Sequence, residues 1–228
     1  MGQTLSTLRT NFLGHRGPGL CIQVIRGLPG IGKTQTAVEY VYQNLSSYRW
    51  VLWAAAASSE VLTSEYLALA NELELPERRE GDQRLIVAAV KRWLGKERDW
   101  LLVLDNVDEV SLVAHFLPRT GPGHVLLTTQ GPTGGVIDKP VPLEEMEPAE
   151  GALLLLRRVG LLSEGQPLEE APAEDRAAAE AIAGEMDGLP LAMDHAGAYL
   201  LAEALAAKKR AQAVRDRGAA EAPRAPDP

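Results

Sequence analysis

Residues 27–34 read Gly27-Leu28-Pro29-Gly30-Ile31-Gly32-Lys33-Thr34, and this stretch decides the fold of the chain. It fits the pattern G-x-x-x-x-G-K-[ST], known as the Walker A phosphate-binding loop. A backbone that wraps a triphosphate must approach it closely, and glycines at positions 27, 30 and 32 permit that approach and the positive φ angles it needs. A helix that opens directly after the loop adds free N–H donors and a partial positive charge. We therefore expect Lys33 to reach the β- and γ-phosphates of a nucleotide and the Thr34 hydroxyl to ligate Mg²⁺.

The residues on either side of the loop supply the context that the motif requires. Residues 21–25 predict a short buried strand that runs into the loop, and residues 35–46 predict a helix with Val38, Val41 and Leu45 on one face. A strand, a loop and a helix in this order argue against a chance match. The predicted nucleotide-binding set at this point of the chain consists of Gly27, Gly30, Ile31, Gly32, Lys33, Thr34 and Gln35.

Beyond the loop, apolar strands alternate with helical patterns. Helices are predicted over residues 60–73, capped by Ser58 or Ser59, and after Asp82, which precedes a second apolar stripe. Such alternation predicts a parallel sheet with helices on both faces. The predicted fold class is therefore α/β, with a five-stranded, mostly parallel sheet flanked by helices. Its strands after the first are expected at residues 49–53, 100–105, 124–129 and, in a short form, 140–143.

The pattern becomes helical after residue 146. Helices are predicted over residues 147–159, 173–186 and 189–205, which together form a small C-terminal helical lid domain. The end of the chain is rich in Ala, Arg, Glu and Pro, and residues 218–228 are expected to be disordered. The predicted division is an irregular lead-in at 1–20, a nucleotide-binding domain at 21–146, the lid at 147–207 and a polar helix end with a disordered tail at 208–228.

Composition excludes several classes of protein. The 228 residues carry a net charge of −8, which disfavours a nucleic-acid partner. A single cysteine rules out an internal disulfide, and Cys21 in the first predicted strand fits core packing in the reducing cytoplasm. No signal peptide and no apolar run long enough to cross a bilayer are present, so no membrane partner is expected. The opening Met1-Gly2 fits a myristoylation pattern, but stable anchoring would need a basic cluster that does not follow.

A hydrolysing phosphate loop needs a second acid, on an adjacent strand, to hold Mg²⁺. Asp105 stands at the end of the apolar strand 100–105 and is well placed for that role. The next residue, where many such ATPases carry an acid that polarises water, is Asn106, whose amide can orient water but cannot accept its proton. Asp108 or Glu109 could reach the site through water, or could cap the helix that begins near Val110. The candidate catalytic residues are therefore Lys33, Asp105 and Asn106, with Thr34 and Asp105 as metal ligands.

Four strings in this order are similar to a known family. They are GLPGIGKTQTAVEYVYQ from residue 27, WLLVLDNVDE from residue 100, GHVLLTTQ from residue 123 and GLPLAMDHAGAYL from residue 188. Together they resemble the NB-ARC nucleotide-binding domain of the signal-transduction ATPases called STAND proteins. The four sequence motifs are most similar to those of bacterial members, in which tetratricopeptide repeats often follow this domain. The resemblance covers roughly residues 21–200.

The resemblance implies roles for further residues. Thr128 and Thr129 match the strand end called sensor 1, where the family usually has an arginine near the γ-phosphate and this chain has Gln130. Glutamine keeps hydrogen-bond donors but loses the charge and the bidentate fork, which puts γ-phosphate sensing in doubt. Pro190 in the GLPL motif would lie near the adenine. A loop-to-helix junction with proline in the first turn explains the same motif without any ligand.

The resemblance implies a switch domain that binds ATP or ADP with Mg²⁺ and hydrolyses slowly or not at all. Its output would be a conformational change between core and lid, read by protein partners or by effector and sensor domains, and oligomerisation on activation is compatible with it. The family pattern fades after Leu201, and its winged-helix module is not recognisable, so the chain is expected to be a fragment, an isolated core or a decayed copy. Two alternatives stay open: an AAA-type ATPase or motor that acts on protein or DNA, and a degenerate scaffold without nucleotide, which Asn106 and Gln130 favour.

Overall fold

A parallel sheet stands at the centre of the first part of the chain. The computed structural model describes residues 2–15, 19–133 and 140–220, with side chains as far as Lys209. The chain divides into two compact units, Met1–Glu144 and Glu145–Pro228, and each is treated by itself below. The strands of the first unit are β1 Cys21–Arg26, β2 Trp50–Ala55, β3 Trp100–Val107, β4 His124–Thr129 and β5 Val141–Pro142.

The five strands form one sheet in the order β2-β3-β4-β1-β5, and every neighbouring pair is parallel. The predicted fold class, a five-stranded parallel sheet flanked by helices, is confirmed. Strands β3 and β4 are buried almost throughout, as expected when helices cover both faces of a parallel sheet.

The helices of the first unit begin and end close to their sequence signals. The Ser58 side chain accepts from the Val61 amide at 3.3 Å, and the Asp82 side chain accepts from the Arg84 amide at 3.0 Å, so both predicted N-caps are present. Asp108 and Glu109 were both candidates to cap the next helix; Glu109 is the residue at the cap position, and it makes no side-chain cap bond. The helices are α1 Gly2–Gly14, α2 Lys33–Asn44, α3 Ser59–Glu72, α4 Gln83–Lys96 and the short α5 Val110–Val113.

Alternating residues of the strands pack against different helices because successive side chains point to opposite faces of a sheet. On one face, Val24, Leu102 and Leu127 join a cluster with residues of α3 and α4. On the other face, Ile25 and Leu126 belong to a second cluster, with α1 and α2. The carboxyl ends of these parallel strands thereby lie along one edge of the sheet.

Residues 2–14 correct the predicted irregular lead-in at 1–20. They form α1, whose buried residues Leu5, Leu8 and Phe12 lie three and four positions apart and pack on the α2 face of the sheet. This spacing is the helical one, and the glycines at 14, 17 and 19 obscured it. Residues 16–18 of the predicted lead-in lie outside the described residues.

The second unit consists of three helices: α6 Pro148–Arg158, α7 Ala173–Glu185 and α8 Pro190–Ala220. Helix α8 continues to residue 220, so the prediction of disorder is wrong for residues 218–220, where alanine favours the helix. Residues 221–228 of the predicted tail lie outside the described residues. Although α8 is 31 residues long, no helix in the described part of the chain combines the length and hydropathy of a membrane span.

Small residues set the packing of these three helices. Gly151 of α6 is so close to Met193 and Ala183 that an added Cβ would lie 2.5 Å and 2.8 Å from their side-chain atoms. The buried residues of α7 are Ala179 and Ala183. Of the predicted stripe Ala178, Ile182 and Met186, Ile182 packs partly buried against the core of this unit, whereas Ala178 is exposed. An alanine-rich helix has no large side chains to mark its inner face, so the predicted face is one position off.

Candidate functional site

The candidate site lies at the carboxyl edge of the sheet, where β1, β3 and β4 end. The loop 27–34 connects β1 to α2, and Asp105 and Thr128 lie near the ends of β3 and β4. Asp105 was expected on a strand adjacent to β1, and this expectation is wrong, because β4 lies between β1 and β3. Strand β4 therefore separates β1 from β3, and the loop reaches Asp105 through Thr34 at its end.

The loop 27–34 uses its glycines in two different ways. Gly30 and Gly32 have φ angles of 74° and 94°, in the left-handed region that favours glycine. Gly27 does not have a positive φ, contrary to prediction, but a Cβ at this position would lie 2.7 Å from the Leu143 carbonyl oxygen. Gly27 is therefore required by close approach of the chain that follows β5. Ile31 is buried, whereas Gln35 is exposed on the first turn of α2.

Lys33 is the first residue of α2 and lies mostly inside the loop, with 8% of its surface exposed. Its Nζ donates to the carbonyl oxygens of Gly27 at 3.1 Å and Leu28 at 2.7 Å. Burial lowers the pKa of Lys33, and the nearby Asp105 carboxylate opposes that shift. The loop thus holds an ammonium group at its centre by two neutral carbonyl groups, which do not cancel its charge.

Thr34 and Asp105 meet although 71 residues separate them in sequence. The Thr34 hydroxyl donates to the two Asp105 carboxylate oxygens at 2.9 Å and 3.1 Å. The two residues predicted as metal ligands are therefore neighbours. A hydroxyl and a carboxylate are hard oxygen ligands of the kind that Mg²⁺ takes together with substrate phosphates. No cluster of three or more His, Cys, Asp or Glu side chains suited to a metal occurs among the residues that the structure describes.

Thr128 is central to the site, although the sequence indicated it only as part of the sensor 1 strand end and not as a partner of Asp105. It is 1% exposed, and its hydroxyl donates to the Asp105 carboxylate at 2.5 Å and accepts from the backbone N–H of Asn106 at 2.8 Å. The sequence signal was present in part. A threonine near the end of an apolar strand, two positions after the core residue Leu126, must face the same side of the sheet as Leu126. Only the strand order shows that this side also holds Asp105.

The other predicted residues are more dispersed. Asn106 is exposed, with a φ of 58° in the left-handed region, and Gln130 is exposed at the end of β4. The Thr129 hydroxyl donates to the Val107 carbonyl at 2.6 Å and accepts from the Gly131 backbone N–H at 3.0 Å, so it links the end of β3 to the segment after β4 and does not contact Asp105. Pro190 begins α8 in the second unit, and its predicted place near the adenine stays a prediction.

Comparison with known proteins supports the fold. No protein-family model and no curated protein matches the chain. Among solved structures, it is similar to Cdc6p from Pyrobaculum aerophilum, with 17% identity and a TM-score of 0.50 over 81% of this chain and 62% of that one. It is also similar to a STAND protein with a tetratricopeptide repeat sensor from Pyrococcus horikoshii, with 18% identity and a TM-score of 0.49 over 83% of this chain and 28% of that one.

The chain thus spans less than two thirds of the length of both solved structures. At 17% identity, the likeness to Cdc6p shows a shared fold and no more. Together with the sheet order and the loop before α2, it gives the chain the fold of the P-loop NTPases. The NB-ARC family suggested by the sequence is narrower than this likeness and stays a prediction.

Proposed function

We propose that this chain is an ATP- and ADP-binding switch domain that uses Mg²⁺ and hydrolyses ATP slowly or not at all. The observation that carries the proposal is the hydrogen bond between Thr34, at the start of α2, and Asp105, near the end of β3. It brings a hydroxyl and a carboxylate to the mouth of a loop that already holds a buried lysine. This combination suits a nucleotide's phosphates and their magnesium ion.

The roles follow from the chemistry of the side chains. Thr34 and Asp105 would hold Mg²⁺, and the amide groups of the first turn of α2 would face the phosphates. Lys33 would exchange two carbonyl partners for phosphate oxygens. That exchange is favourable because a charge-assisted hydrogen bond to an anion is about twice as strong as one to a neutral acceptor. Bound Mg²⁺ would supply neutralisation of the phosphate charge.

The term switch rests on Asn106 and on the family resemblance. An amide after the magnesium aspartate orients water without accepting its proton, so ATP would be hydrolysed slowly and would stay bound for longer. We propose that protein partners or further domains read which nucleotide is bound, as in STAND proteins. The buried thiol of Cys21 fits the cytoplasmic location proposed for such a domain.

The test is to identify nucleotide retained by the purified chain and then to measure thermal unfolding with added Mg²⁺–ADP or Mg²⁺–ATP. A ligand at a hundredfold its dissociation constant adds about 2.7 kcal/mol to stability. We expect Lys33→Ala to lose most of this gain. Lys91→Ala is the matched control, because Lys91 also donates to a backbone carbonyl, that of His115, and lies on α4 away from the loop. No retained nucleotide and no shift in the wild type would favour the degenerate scaffold.

A further inference from the structure

Thr128 makes two hydrogen bonds through one oxygen, and their directions are fixed. The backbone N–H of Asn106 can only donate, so it occupies one lone pair of the Thr128 hydroxyl. The single hydroxyl proton is then free for the Asp105 carboxylate, which can only accept. Thr128 therefore ties the side chain of Asp105 and the backbone of Asn106 to one buried point on β4.

These bonds lie at an irregularity in the pairing of β3 with β4. Leu104 pairs with Leu127, but the next pair joins Val107 to Thr129, so Asp105 and Asn106 together face Thr128 alone. The extra residue is a β-bulge, a feature that is rare between parallel strands and frequent next to active sites. Asn106 takes up the bulge by adopting a φ of 58°. The backbone N–H of Asn106 donates to the Thr128 hydroxyl instead of to a backbone carbonyl of β4.

We propose that Thr128 is a positioning residue that sets the orientation of the Asp105 carboxylate for magnesium, a role that rests on the proposed nucleotide binding. Asp105 has two donors, Thr34 and Thr128, and both converge on Oδ1. Thr34 is exposed and bonds both carboxylate oxygens, so by itself it fixes the group loosely. Thr128 is buried and bonds Oδ1, which leaves Oδ2 bonded to the exposed Thr34 hydroxyl, the other residue expected to hold the metal.

The same geometry distinguishes Thr128 from a contact with the nucleotide itself. Its proton and one of its two lone pairs are already used inside the protein, and its side chain is covered. Removing the hydroxyl should therefore weaken the magnesium site through Asp105 and leave the loop 27–34 intact. Groups that orient a metal ligand typically change metal affinity by about 10–100-fold when they are lost.

The experiment titrates Mg²⁺ against a fluorescent ADP analogue bound to the full chain, and measures binding of the same analogue in EDTA. We expect Thr128→Val to raise the half-saturating Mg²⁺ concentration at least about tenfold, while affinity in EDTA changes less than about threefold. Thr128→Ser keeps the hydroxyl and should restore the wild-type midpoint. Thr63→Val is the matched control, because its hydroxyl bonds only the Ser59 carbonyl within α3.

Several outcomes would overturn the proposal. A folded Thr128→Val with an unchanged Mg²⁺ midpoint contradicts it, and so does a Thr128→Ser variant that is as impaired as the valine variant. A purely structural role would lower the melting temperature and weaken binding in EDTA and in Mg²⁺ alike. If the valine variant does not fold, Thr128→Ala removes the same hydroxyl without added bulk and carries the test. A wild-type chain that binds no analogue at all refutes the proposed function itself, which the other outcomes do not.

Discussion

At the scale of single residues, we expect Asn106 to limit the rate of ATP hydrolysis. It is exposed at the bulge of β3, directly after the carboxylate that meets Thr34. We expect the wild type to release phosphate well below the usual enzyme range of about 1–10³ per second. Asn106→Asp should raise that rate at least about tenfold, since a positioned general base contributes about 10²–10⁴-fold. Aspartate tolerates a left-handed φ as asparagine does, so the backbone should be kept.

The measurement is steady-state phosphate release with saturating Mg²⁺–ATP. Adding Asp105→Ala to the wild type or to the Asn106→Asp variant should abolish phosphate release. Brisk release by the wild type that vanishes in Asp105→Ala would show that another group supplies the base, and the switch hypothesis would then lose its main support.

A second residue, His124, links stability to pH. Its ring stacks on Phe12 with centroids 4.7 Å apart, and its Nδ1 lies 2.9 Å from the Tyr48 hydroxyl. Burial lowers the pKa of His124, the charge of His15 lowers it further, and Asp99 opposes both. The folded state therefore binds fewer protons than the unfolded state. Stability due to His124 is complete above its unfolded pKa of about 6.5 and falls as pH drops through the lower folded value.

We expect wild-type stability to fall between pH 7.5 and pH 5.5 by more than that of His124→Gln. Glutamine cannot titrate but keeps hydrogen-bonding capacity for Tyr48. Urea unfolding at both pH values, for both proteins, measures the difference. Parallel pH dependences of the two proteins would show that His124 does not carry the effect.

Some residues of the site could be predicted from the sequence and others could not. Gly30, Gly32, Lys33 and Thr34 follow from a motif whose spacing is dictated by phosphate geometry, and the structure brings Thr34 to Asp105. Thr128 could not be placed, because its role depends on the strand order and on a bulge. Neither the strand order nor the bulge can be recognised from the local amino-acid composition.

At the scale of elements, α1 shows what the apolar pattern of a short helix contributes. Leu8 is completely buried between α1 and the sheet, whereas Leu13 on the same helix is 62% exposed. We expect Leu8→Ala to lower the free energy of unfolding by about 2–5 kcal/mol, the usual cost of a buried leucine truncation. Leu13→Ala should change it by less than about 0.5 kcal/mol. Chemical denaturation measures both, and equal effects would mean that α1 does not pack as described.

The bounds of all five strands were predicted within two residues, and β3 runs on by two residues, through the bulge to Val107. Long apolar runs between helices leave little choice of structure. Helix α1 was missed because its last residue, Gly14, and the glycines at 17 and 19 together are typical of a loop. The face of α7 was missed because alanine does not distinguish a buried side from an exposed one.

The turn between α7 and α8 gives a further prediction. Gly188 has a φ of 64°, and an added Cβ would lie 2.3 Å from the Met146 carbonyl oxygen. Gly160 has a φ of 78°, but the space around its missing Cβ is open. Gly160→Ala should therefore cost only the left-handed strain of about 1–2 kcal/mol. Gly188→Ala should destabilise the protein clearly more, because the backbone at Met146 would also have to move away from the new Cβ.

Helical circular dichroism during thermal unfolding compares the two variants. Gly184→Ala is the control for alanine itself, since Gly184 lies in α7 with open space around it and should gain about 0.5–1 kcal/mol. A Gly188→Ala variant no less stable than Gly160→Ala would contradict the close approach to Met146.

At the scale of the whole molecule, the two units have separate apolar clusters and separate spectroscopic signals. The two clusters of the first unit draw on residues between Leu5 and Leu143, and the cluster of the second unit on residues between Ala152 and Ala196. All four tryptophans, Trp50, Trp53, Trp93 and Trp100, belong to the first unit. Tryptophan fluorescence therefore reports the unit that contains the candidate nucleotide site. Circular dichroism reports both units, with a large share from α8.

We expect these two probes to give different melting curves, because coincidence of probes is expected only when a chain unfolds in one cooperative step. Mg²⁺–ADP should raise the midpoint seen by tryptophan fluorescence, since a ligand stabilises the structure that binds it. In the circular dichroism curve, the same ligand should shift only the transition that belongs to the first unit. Gly188→Ala provides the converse test, because it should lower the remaining part and leave the fluorescence midpoint within about 2 °C of the wild type. A single transition that both probes report, and that moves as a whole with either ADP or the variant, would show that the units unfold together and that nucleotide binding is felt throughout the chain.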